Sequence, residues 1–124
     1  MKLVHRSGSI KCNLNDPKSY WGCRYKPLHG NNGLLTIITN EKKEAILPPA
    51  GTLQAHNSCN KKKHFYSLKG TTHTSPELVF PDIPNKLSVS RNQELQIWYG
   101  QDWRDCSEGG NSGKTCVDVY AWYE

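Results

Sequence analysis

The 124-residue chain reads as all-β, an antiparallel β-sandwich of jelly-roll-like type. Three observations predict this. No window carries a sustained apolar stripe at i, i+3, i+4, i+7, so amphipathic helices are not expected. Six short runs are instead rich in β-branched and aromatic residues, each bounded by Gly, Pro, Asn or Asp. Ten glycines and seven prolines supply the turns that short strands need. One core suits this length, so residues 1–124 are taken as a single domain. Hydrophobic residues make up 35% of the chain and aromatics 10%, which predicts a small core rich in rings.

The elements follow in chain order. "SGSIKCNL" (7–14) reads as a strand, and "DPKSYWGCRY" (16–25) as a turn leading into another. "LLTIIT" (34–39) is a strand by composition. "NEKKEA" (40–45) supports one helical turn at most, because "LPPAG" (47–51) stops it. "HFYSL" (64–68), "ELVF" (77–80) and "KLSVS" (86–90) are the next strands. "ELQIWYG" (94–100) and "CVDVYAWY" (116–123) are the last two, and a long hairpin between them is expected. In the first, Leu95, Ile97 and Tyr99 alternate with Gln96 and Trp98. In the second, Val117, Val119, Ala121 and Tyr123 alternate with Asp118, Tyr120 and Trp122. Period-two alternation sends the aliphatic set inward and displays Asp118, Tyr120 and Trp122 on the other face.

Five cysteines in a small, polar, Gly-rich chain predict an extracellular, disulfide-stabilised protein. Sequence does not fix the connectivity. The economical pairs are Cys12 with Cys23 and Cys106 with Cys116, each closing a loop of about ten residues worth roughly 2–3 kcal/mol. Cys59 is then left over, and with an exposed edge strand it permits a homodimer. No C-x-x-C or H-x-x-x-H spacing suggests zinc. "MKLVHRSGS" lacks the apolar core of a secretory leader, so secretion is expected with the leader removed. No run reaches transmembrane length and no membrane insertion is expected.

Net charge is +5, which suits acidic partners. The densest basic run is Lys61, Lys62, Lys63 and His64, expected at the tip of a hairpin. With Arg91 it forms the alternative site, a binding surface for glycosaminoglycan, other sulfated polysaccharide or nucleic acid.

The connection from Gln101 to about Thr115 is far longer than a hairpin needs, and long ordered loops are often functional. Asp102, Asp105, Glu108 and Asn111 recur at every third position, with Trp103 among them. Two uses fit these groups. Carboxylate and amide groups can bind sugar hydroxyls while Trp103, Tyr120 and Trp122 stack on the apolar face of a sugar ring. Asp102, Asp105, Glu108 and Asp118 also form an oxygen-rich set suited to calcium, although the loop lacks the EF-hand pattern. A third reading is structural, with Asx turns holding "SEGGNSG" in shape.

Catalysis is not expected. The chain has no G-x-S-x-G, no H-E-x-x-H and no P-loop. Two acids such as Asp102 and Glu108 leave a small secreted hydrolase as a second alternative. "NSC" (57–59) followed by "NQELQIWYG" (92–100) is similar to elements of SET-type lysine methyltransferases, but no Gly-rich cofactor segment precedes them.

The closing string "ELQIWYGQDWRDCSEGGNSGKTCVDVYAWYE" (94–124) resembles a motif of small secreted cnidarian proteins, "ELxIWYGxDxxDxxExxNxGxTCxDVYA". In size and composition the chain is similar to the cnidarins, lectin-like soft-coral proteins that bind viral envelope glycoproteins and block entry. The resemblance covers the last quarter of the chain well. It implies a secreted, non-catalytic glycan- or glycoprotein-binding protein and assigns no binding residue.

Overall fold

The computed structural model describes residues 1–11, 18–22, 33–55, 63–80, 93–105 and 112–121. Among them run β1 (Lys2–Lys11), β2 (Thr36–Thr39), β3 (Ala45–Leu47), β4 (Gln54–Ala55), β5 (Lys63–Phe65), β6 (Glu77–Val79), β7 (Gln96–Tyr99) and β8 (Ser112–Tyr120). A 3₁₀ turn covers Ala50–Thr52, and one helical turn, α1, covers Gly100–Trp103.

The all-β, antiparallel class is as the sequence predicts. One sheet has the order β6-β1-β8, a second β3-β2-β7, and β4 and β5 form a two-stranded hairpin. Both larger sheets send residues into one core. Leu3 of β1 and Leu78 of β6 meet Ile37 and Ile38 of β2 and Leu47 of β3, with Trp21, Leu34, Leu53, Tyr66 and Phe80 between them. A smaller cluster joins Leu35 and Phe65, with Tyr99 packed against it.

Trp21 organises the centre. Its side chain is fully buried, and its Nε1 donates to the Ser75 carbonyl at 2.6 Å. Its own carbonyl accepts from Leu35 N at 2.8 Å, Thr36 N at 3.0 Å and Thr36 Oγ1 at 2.9 Å. The Tyr66 hydroxyl donates to the Thr36 carbonyl. Burial therefore leaves these polar groups paired, as a low-dielectric interior requires. The same burial pushes the Tyr66 phenol well above its ordinary pKa, because desolvation disfavours the phenolate.

β1 and β8 form the longest ladder, from Lys2↔Tyr120 to Lys11↔Ser112, with a register shift between His5 and Ser7. At Gly8, φ is +80°, and a Cβ there would lie 2.1 Å from the Lys114 carbonyl oxygen, so glycine is required. His5 stacks on Tyr20 at 3.6 Å and 10°, tying β1 to the segment that carries Trp21.

Several sequence expectations need correction. The first strand begins at Lys2, five residues before the predicted stretch, and β3 and β4 were not anticipated. "NEKKEA" makes a tight turn into β3 instead of a helical turn. The predicted closing hairpin does not form: β7 pairs with β2, and β8 pairs with β1 in the other sheet. The reason is geometric. β7 is four residues long with β2 already alongside, whereas β8 is nine long and finds in β1 a ten-residue partner. The aliphatic face prediction also fails in part. Val117 and Leu95 pack on the core, but Ile97 is 46% and Val119 50% exposed. Among the described residues both lie on edge strands. The predicted strand 86–90 and residues 122–124, including Trp122 and Tyr123, lie outside the described residues.

Candidate functional site

The segment after β7 is where the polar groups predicted for function begin. Its first residue is held from two sides. Gly100 N donates to the Leu35 carbonyl at 2.7 Å, and a Cβ at Gly100 would lie 2.1 Å from the His64 carbonyl oxygen. Only glycine allows the chain this close to the buried His64 of β5. From there α1 turns once. Arg104 N bonds the Gly100 carbonyl at 3.0 Å, and Asp105 N bonds the Asp102 carbonyl at 3.1 Å. Asp105 has φ +52°, a conformation Asp tolerates better than most residues.

A second loop meets this turn. Between β2 and β3, Asn40 Oδ1 accepts from Lys42 N at 2.9 Å and Glu44 N at 3.0 Å. This Asx geometry fixes the turn and places Lys43 at φ +64°. The Lys43 carbonyl then accepts Trp103 Nε1 at 2.8 Å, and the Lys43 ammonium lies 5.1 Å from the Trp98 ring centroid. On the other side, the Arg104 guanidinium lies 4.0 Å from the Trp103 centroid, and its Nε donates to the Lys63 carbonyl at 2.8 Å. Two half-buried indoles and two cations thus gather beside exposed Asp102 and Asp105. Each cation–π contact contributes about 0.5–1 kcal/mol at exposed sites. With the Trp103 Nε1 bond they favour the observed ring orientations. Indole surface suits a sugar's C–H face, the carboxylates suit its hydroxyls, and the cations suit acidic substituents.

Sequence reasoning named Trp103, Asp102 and Asp105 here and missed Lys43, Trp98 and Arg104. Trp98 was visible only as one member of an alternating strand. Lys43 carried the faint signal of an Asn directly after the apolar run, but its meeting with Trp103 is a tertiary event.

The other predicted residues lie elsewhere or outside the described chain. Tyr120 is 48% exposed on β8, with the Lys2 ammonium 5.5 Å from its ring. Asp118 forms an ion pair with Arg6 at 3.3 Å on the outer face of the β1–β8 ladder. Among the described residues no three His, Cys, Asp or Glu side chains gather as a metal-holding group, so Asp118 does not join Asp102 and Asp105. Glu108 and Asn111 are outside the described residues, as are Lys61, Lys62 and Arg91. Lys63 is exposed at the start of β5, but His64 beside it is fully buried and does not extend the basic run. Cys116 is exposed with a free thiol, while Cys12, Cys23, Cys59 and Cys106 lie outside the described residues. No helix among the described residues is long and apolar enough to cross a membrane.

No protein-family profile and no curated protein sequence matches the chain. The whole fold, however, is similar to a solved structure, AJLec from the sea anemone Anthopleura japonica. The TM-score is 0.80 at 30% identity, over 99% of this chain and 77% of that one. The chain belongs to the AJLec family. The relationship is therefore to a cnidarian lectin, and not to the cnidarins in particular. The likeness reaches far beyond the closing string, since nearly the full chain is matched.

Proposed function

We propose that this protein binds carbohydrate, on free glycans or glycoproteins outside the cell, and performs no catalysis. The observation that carries the reading is the full-length likeness to AJLec at 30% identity. The Trp98–Lys43–Trp103–Arg104 cluster, with Asp102 and Asp105 at its rim, is the binding surface in this proposal. Trp103 presents the ring area that Arg104 leaves free. Asp102 and Asp105 take hydroxyl groups, directly or through a calcium ion that Glu108 helps to hold. Asp118 is left out of that ligand set because Arg6 engages it. Binding to viral envelope glycoproteins is the finer expectation that the cnidarin resemblance adds.

A glycan array, run with calcium and repeated with EDTA, tests this. The expected result is binding to defined glycans that Trp103→Ala or Asp102→Asn with Asp105→Asn weakens by tenfold or more. Loss of binding in EDTA assigns the carboxylates to calcium, and its survival assigns them to hydroxyls. Signal confined to sulfated glycans, falling steeply with salt, moves the site to the lysine run. No signal on any glycan overturns the proposal.

A further inference from the structure

We propose that the outer face of the β6-β1-β8 sheet binds sulfated polysaccharide, at a cluster formed by Lys11, Lys18 and Lys114. Backbone pairing brings the three together. Lys11 lies opposite Ser112 of β8, and Lys114 lies opposite Ser9, so Lys114 is the diagonal neighbour of Lys11. On the other side of β1, Ile10 N donates to the Ser19 carbonyl at 2.8 Å, and Ser19 N donates to the Ile10 carbonyl at 3.0 Å. This antiparallel bridge sets Lys18 beside Lys11 at the next position. Opposed residues lie about 5 Å apart and diagonal ones about 7–8 Å, within reach of long side chains.

All three lysines share one face. Ser19, next to Lys18, is buried, and Val117, three residues from Lys114, packs on the core. Alternation therefore turns Lys11, Lys18 and Lys114 outward. Lys18 and Lys114 are exposed, and Lys11 is half-buried.

The far end of this face is balanced in charge. There Lys2 pairs with Glu77 and Arg6 with Asp118, each at 3.3 Å. Among the described residues no carboxylate pairs with Lys11, Lys18 or Lys114. Like charges set opposite each other destabilise a sheet. An anion seated among the ammonium groups removes that repulsion, so the arrangement favours a bound state. Each ammonium brings three donors to the terminal oxygens of a sulfate ester. Ser9 and Ser112, opposite Lys114 and Lys11, add hydroxyls that can bond a sugar.

The surroundings select the polymer. Single-stranded nucleic acid is held largely by stacking on aromatic rings, and attachment to a membrane surface needs apolar groups that enter the lipid. The large hydrophobic residues exposed among those described are Val79, Ile97, Val119 and Tyr120. Val79 and Tyr120 flank Lys2 at the far end, Val119 is beside them, and Ile97 is in the other sheet. A cationic sheet face lined with hydroxyls suits an extended sulfated chain. The cluster shares no residue with the Trp103 site and does not rest on the sugar-binding reading.

Heparin binding by surface plasmon resonance, repeated at rising salt, tests the site. Lys11→Gln, Lys18→Gln and Lys114→Gln together should weaken binding about tenfold or more. Each lysine removed should lower the slope of log Kd against log salt by about one. Arginine at all three positions keeps the charges and should retain the affinity. Desulfated heparin should not bind. Trp103→Ala, and glutamine at Lys61, Lys62 and Lys63, should leave heparin binding unchanged. The proposal is overturned by heparin failing to bind at low salt, or by a triple glutamine variant that keeps full affinity. Binding that survives desulfation overturns it as well, as does a single-stranded oligonucleotide bound as tightly as heparin.

Discussion

β2 and β8 are both strands rich in β-branched residues, yet they occupy opposite extremes of the molecule. All four residues of β2 are buried, and six of the nine in β8 are exposed. β2 is the middle strand of its sheet and receives Trp21 and Tyr66 across its backbone. β8 has β1 on one side and, among the described residues, nothing on the other. Composition tells a strand from a helix, but depth comes from the number of neighbours. The buried strand holds the fold, while most of β8 faces solvent.

The largest effect should come from removing what covers β2. Trp21→Ala deletes a fully buried ring and leaves the Ser75 carbonyl without its Nε1 donor. A loss of about 3–5 kcal/mol is expected in urea unfolding, a large part of the stability of a domain this size. A loss below about 1 kcal/mol would mean that the centre is held by other contacts.

Gly100→Ala comes next, because its Cβ would meet the His64 carbonyl oxygen at 2.1 Å. Overpacking of this kind costs roughly 1–3 kcal/mol. It should also move α1, so glycan affinity should fall together with the melting temperature. An unchanged affinity would separate the candidate site from the β5 contact.

Tyr66→Phe sharpens the β2 side of the contrast more gently. It leaves the Thr36 carbonyl without the phenol donor, at a cost of about 1–2 kcal/mol. The wild-type protein should also show a pH signature. The folded-state pKa of Tyr66 is raised, so below the ordinary value of 10.0 the phenol is neutral in both states and this group adds no pH dependence. Above that value only the unfolded chain gains by ionising, and stability falls as pH rises. Unfolding midpoints measured across alkaline pH should show this fall weakened in Tyr66→Phe.

The smallest effect belongs to the β8 side. Val119→Ala trims a half-exposed side chain and should change monomer stability by less than about 0.5 kcal/mol. A cost several times larger would indicate that Val119 is covered in the protein as it exists in solution. Thr115→Val should be neutral or stabilising by about 1 kcal/mol, since Thr115 Oγ1 is buried without a hydrogen-bond partner among the described residues.

Much of this was readable from the chain. Short β-branched runs between Gly and Pro gave the all-β class, and "TIIT", "HF" and "ELV" fell within the predicted strands. The cluster of acids around Trp103 pointed to the turn that also carries the candidate site. These features are local, because strand propensity and turn chemistry act over a few residues. What the chain order concealed was partnership. Neighbouring strands with a loop between them looked like a hairpin, yet β8 crosses to β1, more than a hundred residues away in sequence. Alternation revealed two faces on β7 and β8 but not which face, if either, the rest of the protein would cover. That is why Val119 and Ile97 stand half in solvent. The Lys43–Trp103 and Arg104–Lys63 contacts were hidden for the same reason. Sequence by itself determined the period and punctuation of the strands. Only the tertiary structure decided their neighbours, because pairing, burial and the meeting of distant side chains depend on which surfaces compete for one core.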